Sequence, residues 1–211
     1  MKILELFSGT GSIGKAFPND EIISVDMNSD FNPTHLVSIF DFDYKQYDFF
    51  DYIHASPPCK WYSGLQQSHY NKFRVINGES VYYDRTVNEI MVEEESDVLV
   101  KKALEIIHYF NPKYWTMENP ISNSPLSLVK RPFMSEYNYT TCSYCMYNYP
   151  IRKNTIFFNN FNLQLKDCDK THIHRTLAMN RNGREICMTL YERYRIPHNL
   201  CLEIARQIKI N

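Results

Sequence analysis

The 211-residue sequence contains no apolar run that approaches the roughly 18 consecutive residues that a membrane-spanning helix needs. Its opening stretch "MKILELFSG" has one lysine and a short apolar run that soon reaches glycine and polar residues, so we expect no secretory signal. Six cysteines are scattered through a chain too large to depend on disulfide bonds. We therefore expect an intracellular protein with reduced thiols, in the cytoplasm or nucleus, and no membrane contact.

A strong net charge is also missing, because 23 basic and 24 acidic side chains almost balance. The two halves differ: residues 1–100 carry 7 basic and 16 acidic side chains, whereas residues 101–211 carry 16 and 8. The basic second half can supply a site for a polyanion such as nucleic acid. Accidental clustering on a solvated surface explains the same numbers equally well. The length allows one domain with a full core.

Three short apolar runs in the first sixty residues, "KILELF", "EIISVD" and "FDYIHA", are separated by helix-sized gaps. This pattern predicts βαβ units, and therefore an α/β fold with a largely parallel sheet. Gly9, Gly11 and Gly14 follow the first run with the G-x-G-x-x-G spacing. Such glycines allow a tight turn at the start of a helix, where a ligand can approach the backbone closely. A plain strand, turn and helix with a glycine cap is the alternative.

Two acidic residues extend the glycine pattern. Asp26 ends the second predicted strand, where a carboxylate can accept hydrogen bonds from ribose hydroxyls, and Asp41 lies where the next loop reaches an adenine edge. Together these residues indicate a cofactor that contains adenosine. They do not distinguish NAD from S-adenosylmethionine.

Cys59 follows two prolines in the stretch "SPPCKWYS". Proline fixes φ and biases the preceding residue toward extended geometry, so the thiol should lie on a rigid, non-helical loop. Taken alone, a small buried hydrophobic residue is the better explanation of a single cysteine. Further along, apolar spacing predicts a helix with Ser96 as its N-cap, ended by Pro112, and then a strand that runs into Glu118. Because ligands collect at the carboxyl ends of parallel strands, Cys59 and Glu118 can face one pocket.

The stretches "LFSGTGSIGKAF", "SVD", "SPPCKWYS" and "MENP" occur in the order and spacing of the DNA (cytosine-5)-methyltransferases, and the chain resembles that family over nearly its whole length. The stretch "SYCMYNYPIRKNTIFFNN" resembles the segment that supplies a catalytic arginine, and "YRIPHNLCLEIARQI" resembles the closing helix. The compact form is similar to the enzymes of phages and large DNA viruses. The resemblance implies a Rossmann-like methyltransferase fold, S-adenosylmethionine as cofactor, and double- or single-stranded DNA as partner of a monomer.

The resemblance also implies site residues. A thiolate at Cys59 would add to C6 of a flipped-out cytosine, while Glu118 would bind the N3 edge and Arg152 the O2 atom. The residues expected to contact the cofactor are Phe7, Ser8, Gly9, Gly11, Ile13, Asp26, Met27, Asp41, Pro57, Asn199 and Leu200. The residues expected to contact nucleic acid are Lys60, Ser63, Lys153, Lys170 and Arg175.

Larger relatives read their target with a sizeable separate domain, for which this chain has little room. We expect a catalytic core over residues 1–160, a reduced target-recognition segment over 161–188 and a closing helix over 189–211, with limited sequence specificity. The spacing Cys142-x-x-Cys145 and Cys168-x-x-x-His172, followed by His174, has the ligand types of a structural zinc site. Two observations argue against a zinc site: Cys145 lies in the stretch that resembles a strand of the family, and His174 can instead bind phosphate. No metal is therefore assigned from the sequence.

Three other functions fit parts of the pattern. An inactive homologue that binds nucleic acid or activates a partner would not need Cys59, Glu118 and Arg152 together. An RNA or free-nucleotide cytosine methyltransferase uses the same scaffold, and the basic second half favours a polymer without separating DNA from RNA. An NAD-dependent oxidoreductase would need neither the "PPC" nor the "ENP" stretch.

Overall fold

The computed structural model describes residues 1–172, 174 and 189–210. Within these ranges a seven-stranded sheet has the order β3-β2-β1-β4-β7-β9-β8, and β5 and β6 form a separate hairpin. The strands are β1 (Lys2–Leu6), β2 (Glu21–Asp26), β3 (His35–Leu36), β4 (Tyr52–Ala55), β5 (Lys72–Ile76), β6 (Glu79–Tyr83), β7 (Tyr114–Pro120), β8 (Tyr139–Ser143) and β9 (Asn154–Asn159).

The strand directions confirm the predicted α/β class. β3, β2, β1, β4 and β7 run parallel to one another, and β9 runs antiparallel to both strands beside it, β7 and β8. The chain fills the sheet outward from β1 to β3 and then returns to place β4 on the other side of β1. Ligands bind at such a reversal, outside the carboxyl ends of the strands. The loops after β1 and β4 therefore meet where a site is expected.

The helices cover the two faces of this sheet. They are α1 (Arg85–Met91), α2 (Val98–Phe110), α3 (Leu190–Tyr194) and α4 (His198–Ile210), with a π-helical segment, Val92–Asp97, joining α1 to α2. The predicted start at Ser96 is wrong, because this residue is buried inside the continuous helix and the N-cap is Asp84, whose side chain accepts from the Val87 N–H. Among the described helices, none has the length and apolar character to cross a bilayer.

The helix expected after the glycine turn does not form. The chain makes one 3₁₀ turn, Gly14–Ala16, and then reaches Pro18, which disfavours helical geometry for the residue before it. The C-terminal helix α4 covers this face instead, because Cys201, Ile204 and Ile208 share a core cluster with Phe17. A second cluster, on the opposite face, contains the apolar residues of α1 and α2. Burial of Cys201 agrees with its predicted place in the core, whereas Cys187 lies outside the described residues.

Candidate active site

A loop and a strand at the carboxyl edge of the sheet are joined by a hydrogen bond. The loop after β4 carries Cys59, and the neighbouring strand β7 carries Glu118 and Asn119. The Asn119 Nδ2 donates to the backbone oxygen of Pro57 at 3.0 Å, and the Asn119 side chain is fully buried. The proline-rich loop is therefore fixed to β7 two residues before the thiol.

Glu118 is buried and its carboxylate has two partners. The Tyr144 hydroxyl donates to Oε1 at 2.8 Å, and Lys153 Nζ lies 3.5 Å from the same oxygen. The Lys153 ammonium also lies 4.7 Å from the centre of the Tyr144 ring. The structure thus places Lys153 beside Glu118.

Arg152, which is expected to bind the O2 atom of the target base, lies on the loop before β9. Its side chain is exposed, and its Nε donates to Asn154 Oδ1 at 3.2 Å. The cation next to the carboxylate is Lys153, which the sequence analysis assigned to phosphate.

The charges around Cys59 set the state of its thiol. Burial raises the pKa of Cys59 above its ordinary value, Lys153 lowers that pKa, and Glu118 raises it further. The sulfur therefore lies within electrostatic reach of both side chains. Cys59, Glu118 and Lys153 form one group, which we call the edge triad.

The π-helical segment supports the residues that follow Cys59. Glu95 accepts a hydrogen bond from the Trp61 indole, and Asp97 accepts one from the Tyr62 hydroxyl at 2.8 Å. Arg131 forms an ion pair with the buried Asp97 at 2.7 Å. Extra residues in a helical turn change the direction in which side chains point, and such π segments are frequent at functional sites. Neither acid was predicted to support the site, although both belong to the acidic run "EEESD" of the sequence.

The residues expected to meet nucleic acid in this loop have local roles. Lys60 is exposed, and its ammonium lies 4.1 Å from the centre of the Trp61 ring. Ser63 caps the following 3₁₀ turn, since its side chain accepts from the Leu65 N–H, and its own N–H donates to the Cys59 carbonyl. Lys170 is exposed on the segment after β9, and Arg175 lies outside the described residues.

A row of buried polar residues lies beneath the loop. Glu5, His54 and Thr116 are paired in register across β1, β4 and β7. His54 Nδ1 lies 2.7 Å from Thr116 Oγ1, and His54 Nε2 lies 2.8 Å from Ser56 Oγ at the start of the loop. Burial lowers the pKa of His54 to about 3, so the ring is neutral at physiological pH.

The buried ring of His54 leads to a pH-dependent stability. In the unfolded chain the ring titrates near 6.5, so only the unfolded state takes up its proton as the pH falls toward 3. The contribution of the neutral His54 ring to the free energy of unfolding is complete above pH 6.5, and it falls by about 1.4 kcal/mol for each pH unit below that value. Relative to His54→Gln, the wild type should lose about 2 kcal/mol of unfolding free energy between pH 6.5 and 5.

Urea unfolding at several pH values measures this difference. The comparison with the variant is needed because Glu5, whose pKa is raised to about 7, gives the opposite slope over part of the range. If the free energies of unfolding of the wild type and of His54→Gln changed with pH in parallel, His54 would be accessible to protons in the folded state.

The turn after β1 has the backbone geometry of a ligand loop. Phe7, Gly9 and Gly11 have φ values of 52°, 48° and 65°. The Gly9 N–H donates to Asp26 Oδ2 at 2.8 Å, and the Asn28 N–H donates to Asp26 Oδ1 at 2.9 Å. Each carboxylate oxygen keeps a lone pair for a further donor. Asp26 thus holds the loop and can still accept from hydroxyl groups.

Glu5 supports the same turn and was missed by the sequence analysis. Its two carboxylate oxygens accept from the Ile13 and Gly14 N–H groups, each at 3.0 Å. A Cβ at Gly14 would lie 2.9 Å from Ile22 Cγ2 and 3.1 Å from Glu5 Oε2, so only glycine fits there without movement. The available signal was an acidic residue inside the apolar run "KILELF".

The other residues expected to bind the cofactor fall into two groups. Ile13 and Leu200 have fully buried side chains in the core cluster under α4, and Ser8 is nearly buried. Met27, Asp41 and Asn199 are exposed. The C-terminal segment does return to the turn, because the Ile196 N–H donates to Ser12 Oγ at 3.1 Å.

A second group of reactive side chains lies near the end of β8. Cys145, Cys168, His172 and His174 place one potential ligand atom each within 4.8 Å of one another. The possible set taken from the sequence, for which no metal was assigned, had Cys142 in place of His174, and Cys142 is not a member of this group. Cys142 is fully buried in the core cluster beneath α4, because alternate residues of a strand point to opposite faces of the sheet.

Comparisons with known proteins agree with the sequence resemblance. No protein-family model matches the chain. It is 32% identical over 156 residues to a protein of Frog virus 3 named "Probable DNA (cytosine-5)-methyltransferase", a match that covers 70% of this chain and 64% of the viral protein. The chain therefore spans less than two thirds of the length of this curated relative.

Solved structures give more distant likenesses. The Schizosaccharomyces pombe Dnmt2 methyltransferase is 17% identical, with a TM-score of 0.45, over 77% of this chain and 50% of its own. The Entamoeba histolytica methyltransferase EhMeth is 17% identical, with a TM-score of 0.42. The match covers 81% of this chain and 57% of EhMeth. The predicted resemblance is confirmed: over 70% of its length, this chain is similar to the Frog virus 3 protein that is named "Probable DNA (cytosine-5)-methyltransferase".

Proposed function

We propose that this protein transfers a methyl group from S-adenosylmethionine to C5 of cytosine in DNA. The observation that carries the proposal is the edge triad: Lys153 lies 3.5 Å from the buried Glu118 on β7, and the Cys59 loop is held to the same strand by Asn119. The sequence similarity to the viral protein supports the same reaction.

The turn after β1 fits the adenosine part of the cofactor. Backbone with positive φ at Gly9 and Gly11 lets a ligand approach closely, and the remaining lone pairs of Asp26 suit ribose hydroxyls. Met27, 77% exposed, provides an apolar surface next to Asp26 on which an adenine ring can lie. S-adenosylmethionine, when bound, supplies an electrophilic methyl group.

Each member of the edge triad has a role in activating cytosine. The Cys59 sulfur forms a bond to C6, which makes C5 nucleophilic toward the methyl group. Glu118 binds the N3 edge and offsets the charge that develops there on addition. The transfer would release S-adenosylhomocysteine. The C5 proton then passes to water, the C5=C6 double bond forms again as the bond between sulfur and C6 breaks, and the Cys59 thiolate is regenerated.

Lys153 stabilises the thiolate form of Cys59. Burial favours the neutral thiol, and the Lys153 ammonium is the group that opposes this effect. Arg152, exposed beside Lys153, is suited to a DNA phosphate or to the O2 edge of an extruded base. The target cytosine must leave the stack, because the sulfur cannot reach C6 inside a duplex.

The two cations should differ in their effect on the thiol. Lys153→Met should shift the pH profile of Cys59 alkylation by iodoacetamide to higher pH and lower the methylation rate. Arg152→Met should leave the alkylation profile in place and weaken DNA binding, by a factor that shrinks as salt is raised. Peptide mass mapping of Cys59 at a series of pH values measures the shift. A displaced profile in Arg152→Met, with none in Lys153→Met, would reverse the assignment.

Analysis of the methylated product tests the proposed function. The protein is incubated with S-adenosylmethionine carrying a labelled methyl group and, separately, with duplex DNA, single-stranded DNA and RNA of one sequence. Nucleoside mass spectrometry should detect labelled 5-methylcytosine from DNA. Label found only in RNA would show that RNA, and not DNA, is the substrate. Label found on adenine or on the amino group of cytosine would overturn the proposal.

The short region after β9 sets the expected specificity. We assign target recognition to residues 161–188, catalysis to residues 1–160 and closure of the cofactor site to 189–211. So few side chains can read one or two base pairs, each worth about 1–3 kcal/mol of discrimination. Bisulfite sequencing of DNA from cells that express the protein would give the recognised context.

A further inference from the structure

The segment after β9 leaves the sheet and runs beside β8 without forming a helix or strand through residue 172. Polar contacts hold its first part: the Thr140 hydroxyl donates to the Leu163 carbonyl at 2.8 Å, and the Ser143 N–H donates to the Lys166 carbonyl at 3.0 Å. The Lys166 N–H donates to the Tyr147 hydroxyl at 2.8 Å. Beyond Asp167, the segment meets the turn after β8 at the four-residue group of cysteines and histidines.

Two thiols and two imidazoles converge at this point. Cys145 comes from the 3₁₀ turn after β8, whereas Cys168, His172 and His174 come from the segment after β9. The Cys168 sulfur lies 3.3 Å from His174 Nε2, and the centres of the two imidazole rings are 4.6 Å apart. For tetrahedral zinc, with bonds of about 2.0–2.3 Å, neighbouring ligand atoms are about 3.3–3.8 Å apart. The 3.3 Å separation matches this spacing, and the other separations, which reach no more than 4.8 Å, would shorten on metal binding.

The surroundings of the group are those of a metal site. The Lys170 N–H donates to the Cys168 sulfur at 3.3 Å, and such a hydrogen bond stabilises a thiolate ligand. Lys170 adopts a φ of 63°, which bends the chain back between Cys168 and the histidines. Asp169 Oδ1 lies 3.6 Å from His172 Nδ1, where it can orient the ring.

We propose that Cys145, Cys168, His172 and His174 bind one structural zinc ion. Two thiolates and two imidazoles form a closed tetrahedral set, with no position left for substrate or water. The ion ties a segment with little core of its own to the turn that carries Tyr144, the hydrogen-bond partner of Glu118. It therefore fixes the start of the proposed recognition segment, and it does so whether or not the protein methylates DNA.

Metal analysis of the untagged full-length chain tests the site. After purification with zinc sulfate present and removal of free metal, mass spectrometry of the elements should give one zinc per chain. Cys168→Ser and His174→Gln should each lose most of it. Cys59→Ser, outside the group, and His198→Gln, an exposed histidine of α4, should retain one zinc per chain.

A second measurement uses only the wild type, so that it tests the metal site even if the variants do not fold. Cobalt added to the metal-free wild type should give the ligand-field absorption of a tetrahedral site together with a thiolate charge-transfer band. Chelation should lower the melting temperature of the wild type by about 5 °C or more. A wild type that neither retains zinc nor gives the cobalt spectrum, or a disulfide between Cys145 and Cys168 in freshly purified protein, would overturn the proposal.

Discussion

Replacement of Cys59 by serine is expected to lower methyl transfer by about 10³-fold or more, because a hydroxyl is a far weaker nucleophile than a thiolate at neutral pH. The side chain is nearly the same size and lies on a loop held by Asn119, so the fold should not change. Binding of S-adenosylmethionine, measured by calorimetry, should stay within about twofold of wild type, since the glycine turn belongs to a different loop.

Cys201→Ser is a poor control for this experiment, because Cys201 is fully buried in the core under α4. Cys168→Ser is also a poor control, because its thiol belongs to the proposed zinc site, so Glu94→Gln, which changes an exposed acid, serves instead. Turnover retained in Cys59→Ser would exclude a thiol mechanism, and loss of cofactor binding would indicate damage to the fold.

Glu118→Gln is expected to lower methyl transfer by about 10²–10⁴-fold, the usual contribution of a positioned acid or base. Glutamine keeps the shape and the bond from Tyr144, but it cannot share a proton with cytosine N3. The same variant should make Cys59 more reactive, because the charge of Glu118 raises the pKa of that thiol. Alkylation should therefore move to lower pH while methylation slows.

These opposite changes separate chemistry from structural damage. A distorted site would slow methylation without a selective gain in Cys59 reactivity. Glu94→Gln, an exposed acid on the π-helical segment, is the matched control and should change neither quantity. An unchanged methylation rate in Glu118→Gln would show that the Glu118 carboxylate takes no part in methyl transfer.

The sequence predicted the parts of the site that depend on local backbone chemistry. Apolar runs marked β1, β2 and β4, and the glycine spacing marked the turn with positive φ at Gly9 and Gly11. Paired prolines before Cys59 marked the rigid loop. The expectation that Cys59 and Glu118 face one pocket followed from one topological rule, that parallel strands end at the same edge of a sheet.

Features that depend on packing across the chain were beyond the sequence. The helix expected after the glycine turn is replaced by α4, which comes from the far end of the chain. The π-helical segment is part of a continuous helix, so no boundary marks it. The ion pair between Lys153 and Glu118 depends on how the loop before β9 packs against β7. His174 joins the cysteine and histidine group in place of Cys142 because the strand turns Cys142 into the core.

Trapping with 5-fluorocytosine tests the central claim most directly. Fluorine at C5 cannot leave as a proton, so the bond between sulfur and C6 should persist after methyl transfer. Incubation with S-adenosylmethionine and a fluorinated oligonucleotide should give a denaturation-resistant species. Its mass should equal that of chain and oligonucleotide plus one methylene unit, because a methyl group is gained and the thiol proton is lost, and the attachment should map to Cys59. Methylation of ordinary cytosine without any such adduct, or an adduct on another cysteine, would contradict the mechanism.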